Sequence, residues 1–224
     1  MGACSKMKVF RSTDGRKLEV EDVPLFSTPI IVTKFNDHEK YNIESFEKID
    51  RSPKDWNNSA VNTSFPDVGK DDPYISRETR DEIKNSILEQ LKDVFAIYNM
   101  PTDIVMQNFW YNAYYEGQGI ELHNHLSEDN HNPFWSGVYF AKNCFNSQFR
   151  FRYLHTGLRT QQPFDFHQTT LADYYRSYWP SGIPDGYICL FPPHLDHTVI
   201  VGEENRDKMR LSFAFNIRHE LNHV

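Results

Sequence analysis

The sequence predicts a mainly β fold with flanking helical structure (α+β), of the double-sheet, jelly-roll type. Two observations carry this. From residue 104 onward the chain breaks into short β-branched and aromatic segments separated by turn residues, and the clear helical periodicity lies before them, between Ser76 and Tyr98. The 224 residues suffice for one substantial core rather than two full domains, and no repeat, low-complexity tract or Pro/Gly/Ser linker divides them. Residues 1–224 are therefore read as one domain.

In order along the chain, residues 1 to about 20 are polar and read as a loose N-terminus, with 21–103 as a supporting region. Pro29-Ile30-Ile31-Val32 is apolar and β-branched, which suggests an early strand. Over 76–98, Ile83, Ile87, Leu88, Leu91, Phe95 and Tyr98 recur on one helical face opposite a charged one, the pattern of a helix covering a sheet. Thr79 and Glu82 have capping-box spacing, and Asn99 with Pro101 supplies a stop. Strands are expected near 104–115, 120–125, 134–140, 147–153, 187–191, 197–201 and 209–217, with turns at Glu116-Gly117-Gln118-Gly119 and Asp185-Gly186. Residues 154–184 break this rhythm. Phe164, Phe166, Tyr174, Tyr175, Tyr178 and Trp179 lie there without a period, and so long a connection reads as a lid, an insertion or a small satellite core.

Composition narrows the function classes. A net charge of -7 argues against a general grip on nucleic-acid phosphates. Cys4, Cys144 and Cys189 are odd in number and hold no CxxC pair, so a reducing, cytoplasmic setting is expected (the host cytoplasm, for a viral protein). No apolar run approaches the roughly 20 residues of a membrane span. Gly2 suits N-myristoylation, but Lys6 stands where Ser or Thr is wanted.

The chemistry is carried by histidines. His123-Asn124-His125 alternates like a strand, and side chains two apart on a strand share a face, so both imidazoles can reach one metal ion. A third ligand must come from elsewhere. His197 follows the apolar segment Tyr187–Phe191 through Pro192-Pro193-His194-Leu195-Asp196. Three ligands leave open positions on a six-coordinate iron, as activation of oxygen needs. An HxH alone is a weak signal among ten histidines; His131, His155 and His167 read as loop residues.

The surroundings add specificity. Tyr114-x-x-Gly117-x5-His123-x-His125 resembles the segment that opens the metal site of prolyl-4-hydroxylase-like oxygenases, where the pair is HxD. Phe134-Trp135-Ser136-Gly137-Val138-Tyr139-Phe140, Leu190-Phe191-Pro192 with His197, and Arg210-Leu211-Ser212-Phe213-Ala214-Phe215-Asn216 continue the likeness. The HxH, SGVYF and RxSFxFN runs are more closely similar to the 2-oxoglutarate/Fe(II) oxygenases found in bacteria and phages, over roughly 104–217.

That resemblance implies a double-stranded β-helix, a cupin-like jelly roll, binding Fe(II), 2-oxoglutarate and O2 and hydroxylating a C–H bond with release of succinate and CO2. His123, His125 and His197 would be the ligands. The distal carboxylate of 2-oxoglutarate would meet a buried cation, a role that suits Arg210 with Ser212 two residues on. Tyr139 is spaced to reach the same carboxylate, and Tyr114 or Asn112 the other end of the molecule. Arg206 competes with Arg210, and His194 with His197. The wider superfamily has a carboxylate where His125 stands, which leaves two further arrangements: two histidines and a water, or Asp129 swinging in.

Two other classes compete: a three-histidine cupin dioxygenase that does not use 2-oxoglutarate, and a jelly-roll binding module with incidental histidines. The expected substrate is a peptidyl side chain such as proline, another amino-acid side chain, or a small metabolite, with Tyr174, Tyr175, Tyr178 and Trp179 as candidate contacts.

Overall fold

The structure is a computed structural model. It describes residues 7–11, 17–21, 30–41, 46, 48–49, 54–56, 59–65, 71–126, 133–143, 147–151, 183–201 and 208–220. The elements in chain order are β1 (Met7–Arg11), β2 (Lys17–Glu21), β3 (Ile31–Lys34), β4 (Lys54–Trp56), β5 (Ser59–Thr63), α1 (Arg77–Ile97), β6 (Ile104–Tyr114) and β7 (Gly119–His123). They continue with β8 (Trp135–Lys142), β9 (Ser147–Phe151), β10 (Tyr187–Phe191), β11 (His197–Val201) and β12 (Arg210–His219).

From β6 onward, successive strands alternate between two groups. β6, β8, β10 and β12 form one sheet with β3 at its edge, in the order β3-β10-β8-β12-β6, and β7, β11 and β9 form the facing group. Every pairing is antiparallel, and β5 links the groups by pairing with both β6 and β7. This alternation is the jelly-roll winding expected from the run of short strands.

The large sheet is buried on both faces. One face packs under α1 with Tyr111, Tyr139, Leu211, Phe213 and Phe215; the other points between the sheets with Val138, Phe140, Cys189, Phe191 and Ala214. On α1, Ile83, Ile87, Leu91 and Phe95 are buried, each contributing about 1.5–3 kcal/mol of transfer free energy. Val94 joins that face, whereas Tyr98 is exposed and caps the C-terminus. The N-cap is Ser76, whose hydroxyl accepts from the Thr79 amide at 3.1 Å, so the Thr79–Glu82 box lies one turn too far in. Asn99 ends the helix in the left-handed conformation, φ 54°.

Two other expectations are corrected. The N-terminal stretch holds a two-stranded antiparallel hairpin, β1 with β2, where a loose segment was expected. The early strand sits at Ile31–Lys34. The expected insertion, apart from residues 183 and 184, lies outside the described residues.

Candidate metal centre

His123 ends β7, His197 begins β11, and the two face each other in the antiparallel register. They are brought opposite by a bulge. Ile200 pairs with Gly119 and Val199 with Ile120, so an unbroken ladder would set His197 against Leu122. One extra residue in β7 advances the register and turns His123 toward the cavity that Ile120 lines. Leu122 is left exposed. Gly119 permits the close approach of these strands, since a Cβ there would overlap the Val199 carbonyl oxygen.

His125 lies beyond the end of β7. Strand alternation therefore does not place it. Its backbone amide donates to the Pro193 carbonyl at 2.9 Å, tying it to the turn that leads into His197. Asn124 reinforces the same link, donating from Nδ2 to Asp196 at 2.9 Å.

The three imidazoles offer ligand atoms that all lie within 4.8 Å of one another. Their remaining nitrogens are each spoken for. His123 Nδ1 donates to the Glu121 carbonyl at 2.8 Å and His197 Nδ1 to the Leu195 carbonyl at 2.9 Å. A carbonyl only accepts, so Nδ1 carries the proton and Nε2 keeps its lone pair. His125 Nδ1 meets the side-chain oxygen of Asn216 at 2.7 Å. Burial pushes the basicity of all three down: His125 to about 4, His123 below its usual value, and His197 well below it, helped there by its two imidazole neighbours. They are neutral near pH 7, the form that binds a metal. Phe149, Phe151 and Phe191 surround His197, which is 3% exposed, and hold water away.

A cavity of about 300 Å³ joins the histidines to Arg210, Ser212, Asn112 and Tyr114. Arg210 is 1% exposed. Its guanidinium lies 5.1 Å from the Tyr114 ring centroid and 5.3 Å from that of Phe140, and it donates from Nε to Asn143 Oδ1 at 3.2 Å and from Nη1 to Ser212 Oγ at 3.4 Å. Burial raises the Tyr114 phenol above its usual value, more than the adjacent Arg210 lowers it, so it remains a donor. Asn112 Oδ1 is buried without a hydrogen-bond partner. A buried guanidinium lining one cavity with three neutral imidazoles suits a chelating dicarboxylate: the donor set fits iron(II) and 2-oxoglutarate.

Tyr139 is not brought to this cavity. It points into the core beneath α1, and its hydroxyl bonds His38 Nδ1 at 2.7 Å. On β8 it is Val138 and Phe140 that face inward. His194 is exposed, and Tyr174, Tyr175, Tyr178, Trp179, Arg206, Asp129, His131, His155 and His167 lie outside the described residues. Sequence reasoning assigned no role to Asn216, to Ser136, whose hydroxyl donates to Asn216 Oδ1 at 2.9 Å, or to Asn143. The spacing of Asn216 from Arg210 and Ser212, even in register along β12, was the signal available for the first.

A jelly roll presenting three imidazole nitrogens to a cavity that also holds a buried arginine has the donor set of a mononuclear, non-haem metal site. More particularly, residues 108–216, which span all three histidines and Arg210, match the family described as "Putative 2OG-Fe(II) oxygenase".

Among solved structures, a Pseudomonas putida prolyl-4-hydroxylase is 10% identical and superimposes with a TM-score of 0.50, covering 88% of this chain and 96% of that one. HygX from Streptomyces hygroscopicus, solved with nickel and 2-oxoglutarate and also with hygromycin B, is 12% identical with a TM-score of 0.50, covering 87% of this chain and 84% of that one. At these identities the likeness shows the fold, a double-stranded β-helix. A 2OG-Fe(II) oxygenase family oxidoreductase from Burkholderia pseudomallei is 12% identical with a TM-score of 0.44; 66% of this chain aligns, spanning 61% of that protein. Curated protein sequences give no match.

Proposed function

We propose that this chain is an iron(II)- and 2-oxoglutarate-dependent dioxygenase that hydroxylates a C–H bond. The observation that carries the reading is one cavity lined both by the three histidines and by buried Arg210 with Ser212. When bound, iron and 2-oxoglutarate supply the oxidation: the 2-oxo acid is decarboxylated to succinate and CO2, and one atom of O2 goes to the substrate.

The chain's own residues hold and shield that chemistry. His123, His125 and His197 present Nε2 to the metal in neutral form and leave positions open. Three neutral ligands do not offset a divalent charge, and the C1 carboxylate of the cosubstrate would offset part of it. Arg210 and Ser212 would receive its distal carboxylate, with the guanidinium pre-positioned by Asn143 and by the Tyr114 and Phe140 rings. Asn112 lines the same cavity and would donate from Nδ2 to the cosubstrate's other end. Trp110 lies 5.8 Å from the His125 ring and 5.4 Å from that of Phe65, and these rings form an apolar wall of the cavity beside the metal.

The proposed substrate is a peptidyl side chain, proline among them, or a small metabolite. The support is that the fold neighbours include a prolyl-4-hydroxylase and a protein solved with hygromycin B. The chain's net charge of -7 speaks against nucleic acid. No described helix is long and apolar enough to cross a membrane.

Calorimetric titration of 2-oxoglutarate into nickel(II)-loaded protein tests the assignment. Binding is expected for the wild type and, at the least, a tenfold loss for Arg210→Leu with nickel retained. Nickel binding without any response to 2-oxoglutarate would favour the three-histidine dioxygenase that does without it.

A further inference from the structure

Of the three imidazoles, only His125 has its outer nitrogen held by a side chain. His123 and His197 rest on backbone carbonyls, which every sequence supplies; His125 rests on Asn216 Oδ1 at 2.7 Å. An amide can present either end. With oxygen toward His125, Nδ1 carries the proton and Nε2 is a ligand. With nitrogen toward it, Nδ1 must accept, Nε2 is protonated, and His125 cannot bind a metal.

The orientation is supported from the opposite side. Ser136, fully buried on β8, donates its hydroxyl to the same Asn216 oxygen at 2.9 Å. Asn216 is flanked in register by Ser136 of β8 and Asn108 of β6, at the point where a bulge interrupts the β6–β12 ladder. The β12 face that carries Arg210 and Ser212 to the cosubstrate end thus carries Asn216 to the metal.

We propose that Asn216, oriented by Ser136, is the positioning residue that makes His125 the third metal ligand. This rests on the metal-centre reading above and deepens it. Because His125 lies outside the strand, its role as a ligand depends on one amide. Outer partners of metal-bound histidines are commonly worth 10–100-fold in metal affinity. Asn216→Asp keeps an acceptor at Nδ1 in any rotamer, whereas Asn216→Ala leaves the imidazole free to take either tautomer.

The test is cobalt(II) titration followed by its d–d absorption, with thermal melts of each metal-free variant. Expected results are a tenfold or greater loss of cobalt affinity with an altered spectrum for Asn216→Ala, and restoration of both to wild-type level by Asn216→Asp. In a His125→Ala background, Asn216→Ala should add less than a twofold loss. Cobalt binding by Asn216→Ala within twofold of wild type, or an equal loss with and without His125, would overturn the proposal. So would a loss that Asn216→Asp fails to restore although its melt matches the wild type. A wild-type protein that takes up no cobalt would instead sink the metal-centre reading itself, so the two failures are distinguishable.

Discussion

At the residue scale the site works through burial and fixed tautomers. Desolvation keeps the three imidazoles neutral, and this has a measurable consequence without metal. His125 titrates at about 4 in the folded protein against an ordinary value of 6.5. Between those values the unfolded chain takes up a proton that the folded chain refuses. Stability from this group is therefore complete above about pH 6.5 and declines as the pH falls toward 4. Thermal melts of metal-free protein across that window should fall more steeply for wild type than for His125→Asn, which removes the titrating ring; equal slopes would contradict the assignment. At the other end of the cavity, Asn143→Ala should leave metal binding unchanged and weaken 2-oxoglutarate binding severalfold, because Arg210 loses a bond that orients it. Calorimetry on nickel-loaded protein reads this directly.

Elements set which of these residues meet. β7 delivers His123 to His197 only because of the bulge, and β7 approaches β11 closely only because residue 119 is glycine. Gly119→Ala should cost about 1–3 kcal/mol through overlap with the Val199 carbonyl. It should also weaken metal binding although it touches no ligand; melts and cobalt titration check both. A control far from the site is Ser76→Ala, which removes the α1 cap and should cost about 1 kcal/mol, roughly 2–4 °C in the melt, without altering metal binding.

The same elements show what was legible in the sequence. Strands β6 to β12 and helix α1 were, because alternation or helical period exposed them, and Arg210-x-Ser212 announced its face because polar residues stand out on a buried strand. β8 is buried on both faces, so polarity does not say which way Tyr139 points, and its ring lies beneath α1 rather than in the cavity. The bulge was hidden for a related reason: Leu122 and His123 are both plausible inward residues, and the choice is made by β11, some 75 positions away (197 − 122). β4 and β5 are short and polar, and the β1–β2 hairpin is charged, so none announced itself.

For the whole molecule, the jelly roll divides labour between its two sheets. The facing group of β7 and β11, with His125 just past the end of β7, carries the three imidazoles suited to a metal, and β12 with β6 of the large sheet carries the groups suited to 2-oxoglutarate. The cavity between them is where both sets meet, and the packing of α1 on the far face of the large sheet is what keeps that sheet in place. Metal and cosubstrate would bind together in this one cavity. Anaerobic mixing of the protein with iron(II) and 2-oxoglutarate tests it most directly. A visible charge-transfer band is expected that needs all three components and disappears in His197→Ala; iron demonstrably bound, with no band on adding 2-oxoglutarate, would contradict joint binding.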